Sequence, residues 1–311
     1  MRPTRYGFRW LKLLALLSAL ALGAGPVLGQ GNGVLTLGRI SDDPRSHYAQ
    51  LKPLLDYVVP RMADLGIREG RILMARDLRQ MAGYLRRGHV DWVTETSGMA
   101  MQLQGLAGAR PILLTERSGV RRYQSLLLAR AAPGAPADLA DLAGRTVAFE
   151  HVASTSAYLM PAAELLRARL RLSPLSTIND RPDPGNVGYL FARTPTNIAI
   201  WIDKGLVDAG AVSDLDWDNP RAVPPALRER LRVVHRSGPI PRALELVRGD
   251  LPAPVRERLR RLLLDSAADP QARPALAAFF GTTAFIAIDA DLRAGLSGLQ
   301  RDFERVRREV E

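Results

Sequence analysis

Apolar and polar positions along this chain switch repeatedly between two periods. VLTLGRIS (Val34 to Ser41) alternates like a half-buried strand, and the spacing of Leu51, Leu54, Leu55, Val58 and Met62 beyond it is helical. RILMAR (Arg71 to Arg76) predicts a second strand, Asp77 can cap the helix DLRQMAGYLRRG, and VDWVTE (Val90 to Glu95) predicts a third strand. A helical stretch to about Gly108 and a strand at PILL follow. Strands alternating with helices at this spacing predict an α/β lobe around a largely parallel sheet.

YQSLLLAR (Tyr123 to Arg130) is a strongly apolar strand, and the Pro/Gly/Ala-rich AAPGAPADLADLAGR behind it marks a change of lobe. The second lobe is expected to hold the strand TVAFE, a helix opening at Ser154, a strand near Thr177, the helix NIAIWIDKG and the strand VDAGAVS. A breaker-rich interval from Asp214 to Pro225 precedes the helix ALRERLR and the strand RVVHRS. SGPIPRALELVR (Ser237 to Arg248) is a turn plus an extended strand that leads the chain back. The remainder is mainly helical, with one strand at AFIAI, and belongs with the first lobe. The expected division is therefore 33–122 plus 244–311 in lobe 1 and 123–243 in lobe 2. Pro161 is awkward inside a helix because it removes a backbone bond and clashes. Either the helix kinks there, or a short first turn ends and a second start places Pro161 where proline is tolerated.

Residues 1–29 read as a signal peptide: Arg2, Arg5, Arg9 and Lys12 flank and enter the apolar run LLALLSALALGAG, and small residues precede a cut after Gly29. A periplasmic protein is the expectation. With no Cys anywhere, a lipid anchor, disulfides and thiolate metal sites are all ruled out. No later stretch approaches the length of a membrane span. The leader holds four of the 43 basic residues, so the +11 net charge falls to +7 beyond it. Stretches such as RERLRRLLLDSA mix both signs, as solvated helix faces do, so no nucleic-acid partner is implied.

The informative chemistry lies at TVAFEHVASTSAYLMPAAELL, where a short strand runs into Ser154, Thr155 and Ser156 and then into a helix. Unpaired N–H groups at a helix start, three hydroxyls and the positive end of the helix dipole can hold a phosphate-like anion without Lys or Arg. A plain Ser N-cap explains the triplet equally well.

The order of segments resembles the periplasmic phosphate/phosphite/phosphonate-binding components of ABC transporters. The likeness rests on VDWVTET, RRYQSLLLAR, DLAGRTVAFE with STSAYLMPAAELL, TNIAIWIDKGLVDAGAVSD and RSGPIPRA, and spans most of residues 34 to 248. It implies the two-lobed α/β fold of type 2 periplasmic binding proteins, with crossing hinge strands near Val120 to Tyr123 and Arg242 to Leu244. It also implies an interlobe cleft that closes on a small oxyanion or phosphonate, an ABC permease as membrane partner, no cofactor, and a monomer. The resemblance carries phosphoryl binding to Ser154, Thr155 and Ser156 and a ligand-facing aromatic to Tyr123, which could otherwise be a core tyrosine.

Departures from the family pattern matter as much. The acids that pair with an aminophosphonate's ammonium match Leu215 and Ala243, neither of which can accept; Asp214 is one residue away. A family His matches Thr194, and His151 before the turn either compensates or is a solvated loop residue. A ligand-facing aromatic matches Leu78. Glu95 and Thr96 end the third strand near the inferred cleft. Glu95 could accept a proton-bearing oxygen, bind a cationic tail, or stand as a solvated strand-end carboxylate. A sensor module for a membrane histidine kinase would need the same cleft. A phosphate-ester hydrolase would need a base oriented by a third group, whereas His47, His89, His151 and His235 are far apart and no HExxH spacing occurs.

Overall fold

The computed structural model describes residues 33–310, and the expected signal peptide lies outside them. Fourteen strands follow in chain order. They are β1 (Val34–Ile40), β2 (Glu69–Ala75), β3 (Trp92–Glu95), β4 (Arg110–Arg117), β5 (Arg122–Tyr123), β6 (Ser125–Arg130) and β7 (Thr146–Phe149). Then come β8 (Arg171–Pro174), β9 (Asn186–Phe191), β10 (Ala209–Ser213), β11 (Leu231–Arg236), β12 (Ile240–Pro241), β13 (Leu244–Val247) and β14 (Thr282–Ala287).

One six-stranded sheet has the order β14-β4-β13-β3-β1-β2, and the other runs β11-β6-β10-β7-β9-β8. Each has a parallel part, with β1 between β2 and β3 in the first and β7 between β9 and β10 in the second. Each is also mixed. β13 runs antiparallel to β3 and β4, and β6 runs antiparallel to β10 and β11. The largely parallel sheet expected from strand–helix alternation is thus confined to three strands of the first sheet and four of the second, because β13 and β6, carried over from the crossing segments, add on antiparallel. The crossing itself is a small ribbon, β5 paired antiparallel with β12, extended by Arg242 N donating to Arg121 O. This is the two-lobed α/β architecture with hinge strands between the lobes.

Three local expectations need correction. The apolar run from Tyr123 to Arg130 is two strands broken at Gln124, whose N–H donates to Asp214 Oδ1 while Asp214 N donates back to Gln124 O. The strand expected near Thr177 is β8, which ends at Pro174 and does not reach Thr177. The Asp180 carboxylate accepts from Ser176 N and Thr177 N there, and such side-chain capture of backbone amides favours a turn. β9 forms in addition, unexpected because of a glycine in its middle; a Cβ on Gly188 would stand 2.6 Å from Leu175, so packing requires the residue that strand propensity disfavours. ALRERLR contributes only the short helix Pro225–Arg228 before β11 begins.

At the hydroxyl triplet the second of the two predicted arrangements occurs. One π-helical turn, Thr155–Leu159, leads into the α-helix Met160–Arg167, with Pro161 in its first turn. Ala157 at φ −108°, ψ 16° departs from helical geometry within that turn. Hydrophobic packing then joins the lobes: one core cluster contains Val93 and Met99 from the first sheet's side and Tyr158, Leu159 and Leu166 from the second, with Tyr123 between them. Leu292, Leu296, Phe303 and Val306 of the C-terminal helix Ala290–Glu309 complete it. Full burial of each such side chain contributes roughly 1.5–3 kcal/mol.

Candidate functional site

Ser154 is the N-cap of the turn after β7: its backbone is extended and its Oγ accepts from Ala157 N at 3.1 Å. Thr155 and Ser156 occupy the first helical positions, whose N–H groups have no acceptor inside the helix. All three residues are buried. The N-terminus of the helix Ser97–Ala107 on the other lobe faces this turn, because Gly98 N donates to Thr155 Oγ1 at 2.9 Å. Two positive helix ends and their hydroxyls therefore meet across the lobe boundary.

Thr96, the N-cap of that second helix, makes no side-chain capping bond, and its Oγ1 is buried with no hydrogen-bond partner among the described residues. Ser97 Oγ by contrast donates to Pro241 O at 2.6 Å, fixing the helix start to the hinge. Tyr123 stands at the turn, its hydroxyl within hydrogen-bonding reach of Ser156 and Thr155. Burial pushes that hydroxyl's pKa up, against the pull of the Arg242 guanidinium, which sits 5.1 Å from the ring centroid.

Glu95 is buried, and its Oε1 accepts from Ile40 N at 2.7 Å, so this carboxylate ties the end of β1 to the end of β3 and is not a solvated strand end. Burial raises its pKa while Arg39 opposes the rise. Arg39 and Arg117 both lie over the Phe280 ring, at 4.4 and 4.5 Å from its centroid, in favourable cation–π range. Burial with Arg39 nearby pushes Arg117 down to about 9.

The remaining candidates fall elsewhere. Thr194 is exposed and caps the helix Pro195–Asp203, accepting from Asn197 N at 3.1 Å. Asp214 Oδ1 is occupied by Gln124 N and Leu215 N. His151 is 44% exposed in its side chain and lies 3.8 Å from Glu150. Two acids missed by the sequence reading, Glu150 and Asp216, stand close to the turn. Burial raises Glu150, Ser154 is within hydrogen-bonding reach of it, and Asp216 pushes it further in the same direction. Glu150 directly follows β7, the position from which a strand's end reaches a cleft, and that was its only sequence signal.

A cavity of about 550 Å³ opens beside the turn, lined by Ile40, Leu78, Met99, Val152 and Ala153 among others. Among the described residues no group of His, Cys, Asp and Glu is placed to hold a metal, and no helix is long and apolar enough to cross a membrane.

A family model described as the periplasmic substrate-binding protein of phosphonate ABC transporters matches residues 39–292. The chain belongs to this family. Its members are substrate-binding components of a transporter rather than enzymes. They work in the periplasm with a small ligand and a membrane permease. Among solved structures, the family fold appears in XAC2383 from Xanthomonas citri bound to chloride ion, with 49% identity, 89% of this chain and 100% of that chain covered, and a TM-score of 0.84. The same protein bound to ATP matches with 48% identity, 90% and 100% coverage, and a TM-score of 0.84. PhnD1 from Prochlorococcus marinus in complex with methylphosphonate shares the fold at 15% identity, with 88% and 99% coverage and a TM-score of 0.62. The fold is that of the type 2 periplasmic binding proteins.

Proposed function

We propose that this protein is exported behind residues 1–29, captures a phosphorus oxyanion between its lobes and delivers it to an ABC permease, phosphate, phosphite and phosphonates being the ligand class. The reading rests on one observation. The turn at Thr155 and Ser156 meets the helix start at Gly98 across the lobe boundary, with the Tyr123 hydroxyl at the turn and, two residues before Gly98, a buried Thr96 hydroxyl that has no partner among the described residues. Hydrogen bonds from neutral donors in a closed, low-dielectric cleft are stronger than in water and discriminate ligands by size and proton count. Ser154, Thr155, Ser156, Tyr123 and Thr96 form the grip in this reading, with Glu95 holding the end of β1 behind it. The ATP complex of XAC2383 supports a phosphoryl-bearing ligand.

Calorimetry of ligand-free protein against phosphate, phosphite, methylphosphonate, aminoethylphosphonate and sulfate tests it. Saturable binding of at least one phosphorus oxyanion is expected, and no response to any of them overturns the assignment. Aminoethylphosphonate is not expected to bind tightest, because Leu215 and Ala243 cannot accept its ammonium and Asp214 Oδ1 already accepts from two backbone N–H groups. Thr155→Phe should abolish binding with the fold intact; unchanged affinity would show the turn to be only a cap.

A further inference from the structure

We propose that the cavity beside the turn holds the body of an extended organic phosphate bearing further negative charge, with Arg76, Arg79 and Arg307 as a second anion subsite. This rests on the reading above that the phosphoryl head lies at Ser154 to Ser156. At about 550 Å³ the cavity has the size of sites that bury whole organic ligands, and a lone tetrahedral oxyanion would leave most of it to water.

The cavity adjoins the grip along the chain. Val152 and Ala153 line it immediately before Ser154, and Met99 lines it immediately after Gly98, the residue bonded to Thr155. Part of its lining is apolar, with Ile40, Leu78 and Met99, and Val152 on it is 53% exposed. An apolar or planar group would cover that part.

The lining also carries three cationic side chains. Arg76 and Arg79 flank Asp77, the N-cap of the helix Leu78–Arg86, and Arg307 reaches in from the C-terminal helix. None of the three guanidinium groups has an ion-pair partner among the described residues, and Arg307 Nη1 is buried without a hydrogen-bond acceptor. Asp77 is the one acid on the lining, and its Oδ1 already accepts from Gln80 N. Buried donors without acceptors are uncommon and call for explanation, and guanidinium forks match phosphate oxygens in pairs. Head, apolar body and distal negative charge together describe a nucleoside polyphosphate or a ligand of the same build.

The test is calorimetry of the full chain with inorganic phosphate, an unphosphorylated nucleoside, a nucleoside 5′-monophosphate and a nucleoside 5′-triphosphate. The triphosphate should bind about tenfold or more tighter than the monophosphate or inorganic phosphate. The double variant Arg79→Ala, Arg307→Ala should remove that advantage and leave phosphate binding unchanged. Phosphate binding without triphosphate binding, or an unchanged triphosphate preference in the double variant, overturns the subsite and leaves the proposed function standing. Triphosphate binding lost in the double variant but untouched by Thr155→Phe supports the subsite and overturns the placement of the head. No binding of any phosphorus compound overturns both.

Discussion

Gly98 N donates to Thr155 Oγ1 at 2.9 Å, which bonds the backbone of one lobe to a side chain of the other. A Cβ on Gly98 would stand 2.6 Å from both Thr155 Oγ1 and Leu159 Cδ1, closer than real contacts come. Both obstructing atoms belong to the opposite lobe, so separation of the lobes relieves the clash without unfolding either one. Gly98 sits in the first turn of a helix and has an ordinary negative φ, so the backbone itself tolerates a side chain. Gly98→Val is therefore expected to fold, to hold a more open cleft by solution scattering, and to bind ligand about tenfold more weakly or worse. Wild-type affinity in this variant would show that closure does not use this contact.

Tyr123 reaches Thr155 and Ser156 through its hydroxyl, and its ring packs in the shared core and beside Arg242. Tyr123→Phe keeps the ring and removes that hydroxyl. A neutral hydrogen bond is worth about 0.5–1.5 kcal/mol net, so affinity should fall roughly three- to tenfold in calorimetry while the thermal midpoint moves little. A larger fall in stability than in affinity would place Tyr123 in the core and not in the grip.

Glu245 is completely buried and accepts from Trp92 Nε1 at 2.6 Å, Thr115 Oγ1 at 2.7 Å and Thr94 Oγ1 at 2.8 Å. Burial raises its pKa, with the three donors and Arg117 opposing the rise. A carboxyl whose folded pKa lies above its unfolded one favours folding fully below the unfolded value, and that contribution is lost as pH rises through the folded value. Glu245→Gln cannot ionise and leaves Trp92 without a proper acceptor, a pH-independent cost of about 1–3 kcal/mol. Urea midpoints of both proteins should thus converge as pH rises from the acidic side toward neutrality. Glu95, raised in the same direction, is present in both and cancels. A gap that widens with pH would contradict the direction given for Glu245.

Legibility in the sequence followed the range of the signal. The turn at Ser154 and the restart at Pro161 were readable because capping chemistry and proline sterics act within a few residues. The break at Gln124 was not, since it depends on Asp214, 90 positions away. β9 was hidden by Gly188, whose reason is the side chain of Leu175 packed over it. The same limit explains the site. Arg39 and Arg117 share the Phe280 ring, and Thr94, Trp92 and Thr115 converge on Glu245, only because register brings the ends of β1, β3, β4 and β13 together. No local pattern announces such a cluster, and a charged residue at a strand end looks the same whether it is solvated or buried.

The C-terminal helix Ala290–Glu309 packs against both the helix Ser97–Ala107 of the first lobe and the helix Met160–Arg167 of the second. Two contacts could hold it across the boundary: the Arg167–Asp302 ion pair, and Phe303 with Val306 in the shared core. The arginine side chain of the pair is 46% exposed, so solvent screens it and about 0.2–1 kcal/mol is the appropriate scale. Phe303 is fully buried, and truncating such a ring typically costs about 3–5 kcal/mol. Arg167→Ala should therefore change the urea midpoint little and ligand affinity less than about fivefold. Phe303→Ala should lower the midpoint sharply and, if the fold survives, weaken binding by loosening the closed form. Equal losses from the two variants would mean that the ion pair, and not the apolar seam, fastens this helix across the lobes.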